Sequence, residues 1–127
     1  MKFRVVEFKR KGRRLEFNRF IYNGFKMGQN GNLYIKNKKV NTTDRRRRFF
    51  YLKDFETGRY DEEGMPVYEN DICQIIGDIM GQIRYIKDKG AFLLVVRNGH
   101  IKVPYSFLDS NEVKLKLKGH IYEKNRG

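Results

Sequence analysis

The chain has 127 residues and a formal net charge of +13, a length typical of one domain. Its single cysteine, Cys73, excludes an intramolecular disulfide and a zinc site built from several cysteines. The longest apolar run, residues 91–96, is far shorter than the roughly 20 residues that cross a bilayer, and Met1 leads into no signal sequence. We therefore expect a single domain spanning residues 1–127 in a reducing cytoplasm, with no membrane partner.

The first half of the chain alternates short apolar runs with basic turns. Runs rich in Val, Ile, Phe and Tyr predict strands, and the Gly and Asn residues between them predict turns. The predicted strands are residues 2–8, 15–22, 32–36, 39–41 and 49–53, and residues 9–14 are predicted as a basic turn. Arg45 to Arg48 cannot share one face of a strand, because side chains alternate along it, so some of them must face solvent or a ligand.

The second half has a more regular rhythm of strands and tight turns. The predicted strands are residues 71–76, 81–86, 91–97, 100–103 and 112–122, with an acidic turn at residues 61–64. The last strand alternates apolar residues with Lys114, Lys116 and Lys118, as a sheet with one wet face does. The sequence thus predicts a mostly β fold with little helix, in which residues 65–125 form a small SH3-like barrel and residues 1–53 a basic β extension.

A set of strand residues is predicted to form the core. It includes Cys73, because a buried cysteine behaves as a small hydrophobe. The predicted core residues are Phe3, Val5, Ile72, Cys73, Ile83, Phe92, Leu94, Val103 and Ile121.

The excess of positive charge is confined to residues 1–53. Residues 1–53 hold 17 Lys and Arg against 3 acidic residues, whereas residues 54–127 hold 11 against 12. So sharp a division indicates an acidic partner on one side of the molecule. Nucleic acid is the commonest such partner; an acidic protein surface and an anionic membrane are its competitors.

Two basic groups are the candidate binding site. Clustered Lys and Arg bind nucleic acid by neutralising phosphates and releasing counterions. Aromatic residues directly after the Arg run could stack unpaired bases, and no helical reader of duplex DNA is evident, which favours RNA or single-stranded DNA. The candidate residues are Lys9, Arg10, Lys11, Arg13, Arg14, Arg45, Arg46, Arg47, Arg48 and Phe49.

No pattern in the sequence indicates catalysis. His100 and His120 lie in predicted strands without the neighbours that a metal site needs, so a structural role is expected for both. The acidic group between Glu56 and Asp71 lacks the spacing of a calcium loop, and no phosphate-cradling glycine loop is present. We expect no catalytic residue, no metal and no cofactor.

Several short motifs, in order along residues 2–125, resemble the YopX-like family of phage and prophage proteins. Thr57-Gly58, Glu63-Gly64 and the segment from Val67 to Ile72 resemble that family's "TG…NG…IYEGDIV". Residues 81–85 with 90–92 are similar to its "GVV.Y…GAF", residues 118–125 to its "IGNIYENP", and residues 2–4 to its "IKFRAW". Asn70 stands where the family usually has Gly, His120 where it has Asn, and no Trp follows Arg4. The resemblance implies a phage origin, a mostly β fold and the cytoplasm of a bacterial host, and it brings no catalytic residues.

The sequence therefore predicts a phage-encoded accessory protein that is not an enzyme and that binds RNA or single-stranded DNA through its basic half. The alternative is a counter-defence inhibitor of the anti-CRISPR kind, whose basic surface occupies an acidic patch of a host nuclease, another host protein or a ribonucleoprotein. The sequence leaves the oligomeric state open, including a homo-oligomer.

Overall fold

A computed structural model describes residues 2–75, 79–96, 102–104 and 114–122. Strand makes up 62% of these residues and the antiparallel sheets are curled, which confirms the predicted mostly β fold. The only helical element in these ranges is a 3-10 turn at Lys87–Lys89. The chain divides after Asp54 into two compact units, one residue beyond the end of the predicted basic segment.

The first unit holds two small sheets. Strand β1 (Phe3–Lys11) pairs with β2 (Arg14–Ile21) and lies between it and β6 (Phe49–Tyr60), of which residues 49–54 belong to this unit. The second sheet has the order β3 (Phe25–Met27), β4 (Leu33–Ile35) and β5 (Lys38–Lys39).

A buried ion pair joins β1 to β6 in this unit. Nε and Nη2 of Arg4 both donate to Oδ2 of Asp54 at 3.1 Å, and the guanidinium lies 3.8 Å from the centre of the Phe20 ring. Both charged side chains are almost wholly excluded from solvent. The charges are thus compensated where water cannot reach them, which is the condition for burying an ion pair.

The second unit is built on a five-stranded antiparallel sheet. Residues 55–60 of β6 pair with β7 (Pro66–Tyr68). The strands of the five-stranded sheet come after β7 in the chain. Its strands are β8 (Asp71–Gln74), β9 (Met80–Ile86), β10 (Ala91–Val96), β11 (Lys102–Pro104) and β12 (Lys116–His120). Their spatial order is β11-β10-β9-β8-β12.

One face of this sheet carries the core of the second unit. The row Cys73, Ile83 and Leu94 crosses β8, β9 and β10 and is fully buried. Burial, with Asp71 and Asp61 nearby, raises the pKa of the Cys73 thiol to about 12. The thiol is therefore protonated near neutral pH, and the expected core cysteine is confirmed as buried.

The predicted core is confirmed in part. Of the remaining predicted residues Val5 is buried, whereas Phe3, Ile72 and Phe92 are half-buried. The side chain of Val103 lies outside the described residues. The prediction for Ile121 is wrong, since this side chain is 43% exposed. β12 ends at His120, and Ile121 turns away with its N–H donated to the carbonyl of Asn70.

Strand ends differ from the predictions at the turns. The predicted basic turn at residues 9–14 shrinks to Gly12 and Arg13, because β1 continues through Lys11. The predicted strand at residues 49–53 extends to Tyr60. β3 and β7 were not predicted, because three residues are too few to show a period.

Candidate nucleic-acid interface

A tight hairpin presents the first basic group. Lys11 pairs with Arg14, so the loop between β1 and β2 holds only two residues, Gly12 and Arg13. Gly12 has φ of +63°, the backbone conformation that a two-residue hairpin of this kind needs at its first loop position. The hairpin therefore places Lys11, Arg13 and Arg14 at its exposed tip.

The second basic group lies on a loop held by Asn41. The Nδ2 group of Asn41 donates to the carbonyls of Asp44 (2.6 Å) and Phe49 (2.9 Å), and its Oδ1 accepts the N–H of Asp44 (2.9 Å). Oδ1 of Asp44 accepts the N–H of Arg46 at 3.0 Å. These side-chain contacts replace the ladder bonds of a strand, as Asn and Asp commonly do in turns. All four arginines from Arg45 to Arg48 are exposed.

Strand β1 brings the two groups together. The N–H of Arg10 donates to the carbonyl of Arg48 at 2.7 Å, and Nε of Arg10 donates to the carbonyl of Arg46 at 3.0 Å. A concave surface of about 420 Å³ lies between the groups. It is lined by Arg10, Arg13, Arg14, Leu15, Arg45 and Arg46. Segments more than 30 residues apart in sequence thus form one surface, which we call the basic notch.

Few carboxylates offset this charge. Asp44 contacts Nε of Arg46 at 3.2 Å and Nε of Arg47 at 3.9 Å. The backbone and side-chain hydrogen bonds from Arg46 lower the pKa of Asp44, so the residue stays ionised. Glu16 lies 3.6 Å from Lys11. In the ranges that the structure describes, no carboxylate pairs with Arg13, Arg14, Arg45 or Arg48.

The aromatic residues beside the Arg loop divide between two faces of β6. Phe50 is buried and its ring lies 5.0 Å from the guanidinium of Arg45, so this ring is not open to a base. Phe49 and Tyr51 share the other face, with nearly parallel rings 6.4 Å apart. Phe49 is half-buried and lies 5.5 Å from the guanidinium of Arg48, which leaves it the aromatic candidate among the three.

Glu7 lies in the same sheet and joins its three strands. Its carboxylate accepts hydrogen bonds from Asn18 (2.7 Å) and Arg19 (2.9 Å) of β2 and from the hydroxyl of Tyr51 (3.0 Å) on β6. Burial by itself raises the pKa of Glu7, but the bonds from Arg19, Asn18 and Tyr51 outweigh it and the net pKa is lowered. Burial and the bond to Glu7 raise the pKa of Tyr51 to about 12. The network fixes the sheet that carries the basic notch.

The Glu7 network predicts a pH dependence of stability. Because the pKa of Glu7 is lower in the folded chain than in the unfolded chain, its contribution is complete above about pH 4.3 and is lost as pH falls through the folded value. We expect Glu7→Gln to lower the free energy of unfolding by about 1–3 kcal/mol at pH 7, and this difference to shrink at pH 3. Urea unfolding of the wild type and of Glu7→Gln at pH 7 and at pH 3 measures this difference in unfolding free energy. If Glu7→Gln costs the same unfolding free energy at pH 7 and at pH 3, the pKa of Glu7 is not lowered by folding.

The other residues considered from the sequence make structural contacts. Nδ1 of His120 accepts the N–H of Tyr122 at 3.2 Å, whereas His100 lies outside the described residues. Asp61 accepts N–H groups within its own turn, and Asp71 accepts the N–H of Tyr68 at 2.8 Å. Among the residues with described positions, no group of three or more His, Cys, Asp or Glu is placed to hold a metal.

Sequence reasoning missed Asn41 and Asp44, which shape the Arg loop. The available signal was the pair of short polar residues flanking Thr42 and Thr43, since Asn and Asp favour turns by bonding to nearby backbone. Neither residue carries the charge on which the site was predicted, so the search for basic clusters passed over both.

No family model, curated protein or solved structure matches the chain. No helix in the described part of the chain has the length and apolar character needed to span a membrane.

Proposed function

We propose that the protein binds RNA or single-stranded DNA through the basic notch and the Arg loop beside it, mainly by phosphate contacts. The observation that carries this proposal is the meeting of residues 9–14 with residues 45–48 through the contacts of Arg10. Arginine suits such a surface, because its planar fork donates two parallel hydrogen bonds to one phosphate.

Single strands are favoured by the residues at the edge of the notch. Phe49 follows the Arg loop directly and shares a face with Tyr51, so a strand whose phosphates lie on Arg47 and Arg48 has an aromatic ring within reach of its bases. Every described element near the notch is a strand or a loop, and the loop is too short to read a groove as a recognition helix does.

We also propose that the chain is a phage-encoded accessory protein of the YopX-like family, acting in the cytoplasm of a bacterial host. The ordered motifs from Thr57 to residue 125 support this proposal. The five-stranded antiparallel sheet supports an SH3-like barrel in the second unit, with the basic residues 1–53 as an extension of it.

The salt dependence of binding tests the proposed function. If about five arginines contact phosphates of a single strand, the logarithm of the binding constant should fall against the logarithm of salt with a slope of about −3.5. Replacing Arg45 to Arg48 with alanine should weaken binding to every sequence alike and flatten that slope, because phosphate contacts carry little sequence information. Fluorescence anisotropy of mixed-sequence RNA and DNA strands across a salt series measures both effects.

A matched control removes four positive charges elsewhere. Lys87, Lys114, Lys116 and Lys118 are exposed on the second unit, and their replacement with alanine should leave the slope nearly unchanged. Absence of binding at low salt would overturn the proposal and promote the inhibitor of an acidic host protein. An equal loss in both quadruple variants would show that the Arg loop has no special part in binding.

A further inference from the structure

We propose that the basic notch holds the 5′-triphosphate end of an RNA strand, while the strand's internal phosphates lie on the Arg loop outside it. This inference rests on the proposed function, because it concerns which part of a nucleic acid enters the notch. It follows from the number of arginines in one concavity, from how they are held and from what the concavity lacks.

The basic notch holds more arginine side chains in one place than the evenly spaced internal phosphates of a strand require. Five of the six lining residues that the structure describes are arginines, and they surround a concavity of about 420 Å³. Internal phosphates of a strand carry one negative charge each and are spread along it. A site for a continuous strand would therefore distribute its arginines in a line, as Arg47 and Arg48 continue the loop outside the notch.

The charge of the notch matches a compact polyphosphate. A terminal phosphate carries about −1.5 to −2 and each of the two inner groups about −1, so a triphosphate end carries nearly four negative charges. Asp44, the carboxylate bonded to Arg46, offsets one of the five arginine charges. The remaining excess of about four positive charges balances the triphosphate.

Three of the five guanidinium groups already contact other groups of the chain. Nε of Arg10 is bonded to the carbonyls of Arg46 and Arg47 at 3.0 and 3.4 Å, and Nε of Arg46 to Asp44. Arg45 lies over the ring of Phe50. The bonds of Arg10 and Arg46 engage Nε alone and leave the terminal nitrogens for a ligand. Part of the cost of ordering these side chains is thus met before binding.

The lining also distinguishes an RNA end from a free nucleotide. Among the lining residues that the structure describes, Leu15 is the single apolar one and none is aromatic, so these residues offer no surface to enclose a base. The nearest aromatic candidate, Phe49, follows the loop outside the notch. A triphosphate that continues into a strand can use both surfaces, whereas a nucleoside triphosphate can use the notch alone.

The test compares three RNAs of one sequence that differ only at the 5′ end, which carries a triphosphate, a monophosphate or a hydroxyl. At physiological salt we expect the triphosphate RNA to bind at least about tenfold more tightly than the hydroxyl RNA, with the monophosphate RNA between them. Tripolyphosphate should compete away this advantage and leave the hydroxyl RNA bound. ATP should bind at least about tenfold more weakly than the triphosphate RNA.

Two double variants with equal loss of charge separate the notch from the rest of the loop. Arg13→Ala with Arg14→Ala, both at exposed positions in the notch, should abolish the preference for the triphosphate end. Arg47→Ala with Arg48→Ala, both outside the notch, should weaken all three RNAs alike and keep the preference. Unchanged melting temperatures verify that both variants are folded.

The outcomes distinguish this inference from the proposed function. Equal affinity for the three RNAs would overturn the triphosphate site while leaving nucleic-acid binding in place, whereas no binding of any RNA would overturn both. ATP binding as tight as that of the triphosphate RNA would identify a nucleotide site in place of an RNA-end site. The assignment of the triphosphate end to the basic notch would also be overturned by the opposite pattern. In that pattern the Arg47 and Arg48 variant loses the preference for the triphosphate RNA and the Arg13 and Arg14 variant keeps it.

Discussion

Replacing Asp54 with alanine should lower the free energy of unfolding by about 3–5 kcal/mol. Asp54 is 0% exposed and Arg4 is 3% exposed, and two guanidinium nitrogens of Arg4 share one oxygen of Asp54. Removing the carboxylate leaves the guanidinium in a site from which water is excluded. The large cost arises from this stranded charge, more than from the net value of the pair.

Chemical denaturation of the wild type and the variant measures this loss. Lys11→Ala is the matched control, because it breaks the exposed pair with Glu16, in which the lysine side chain is largely in solvent. That change should cost less than about 1 kcal/mol, as exposed ion pairs do. If Asp54→Ala costs no more than Lys11→Ala, the pair between Arg4 and Asp54 is not buried in solution.

Leu94→Ala should destabilise the second unit by about 2–5 kcal/mol. Leu94 is 0% exposed, pairs with Ile83 across the sheet and belongs to the buried cluster against which Phe92 packs. Truncation removes apolar contacts and leaves a cavity that a sheet of fixed register can fill only in part. The magnitude depends on how far the neighbouring side chains relax.

Ile121→Ala is the control for this prediction. Ile121 is 43% exposed, and substitutions at surface positions usually change stability by about 0.5 kcal/mol or less. The unfolding free energies of the two variants are measured by denaturation, with a spectroscopic probe in the second unit. If Leu94→Ala and Ile121→Ala lower the free energy of unfolding by similar amounts, the assignment of Leu94 to the core and of Ile121 to the surface is wrong.

The predicted strands were placed well where alternation or apolar runs were long enough to read. In the Lys114 to Lys118 segment the alternation is confirmed, because its lysines are exposed while Leu115 is buried. The strand predicted at residues 112–122 is shorter in the described residues, where β12 begins at Lys116 and ends at His120. Ile121 continues the same apolar rhythm, yet it lies beyond the end of β12. The end of a strand depends on its partner, here the bond to Asn70, and a local pattern carries no information about that partner.

The basic residues were recognisable from the sequence, but their arrangement was only partly so. Charge clustering identified residues 9–14 and 45–48 as candidate binding residues. The contact of Arg10 with loop carbonyls depends on the register of β1 against β6, which no single segment encodes. The sequence likewise does not tell which aromatic side chains after the Arg loop are buried, because that depends on the phase of β6, which buries Phe50 and leaves Phe49 half-buried.

The Arg loop is shaped by Asn41 and Asp44, which bond mainly to backbone groups, and of its four arginines only Arg46 adds a side-chain hydrogen bond to this framework, from Nε to Asp44. The residues at positions 45, 47 and 48 can consequently change in charge or size while the loop keeps its course. Such an arrangement lets selection alter ligand preference by point substitution without rebuilding the fold. The loop can therefore vary in its side chains while the sheet that carries it stays the same.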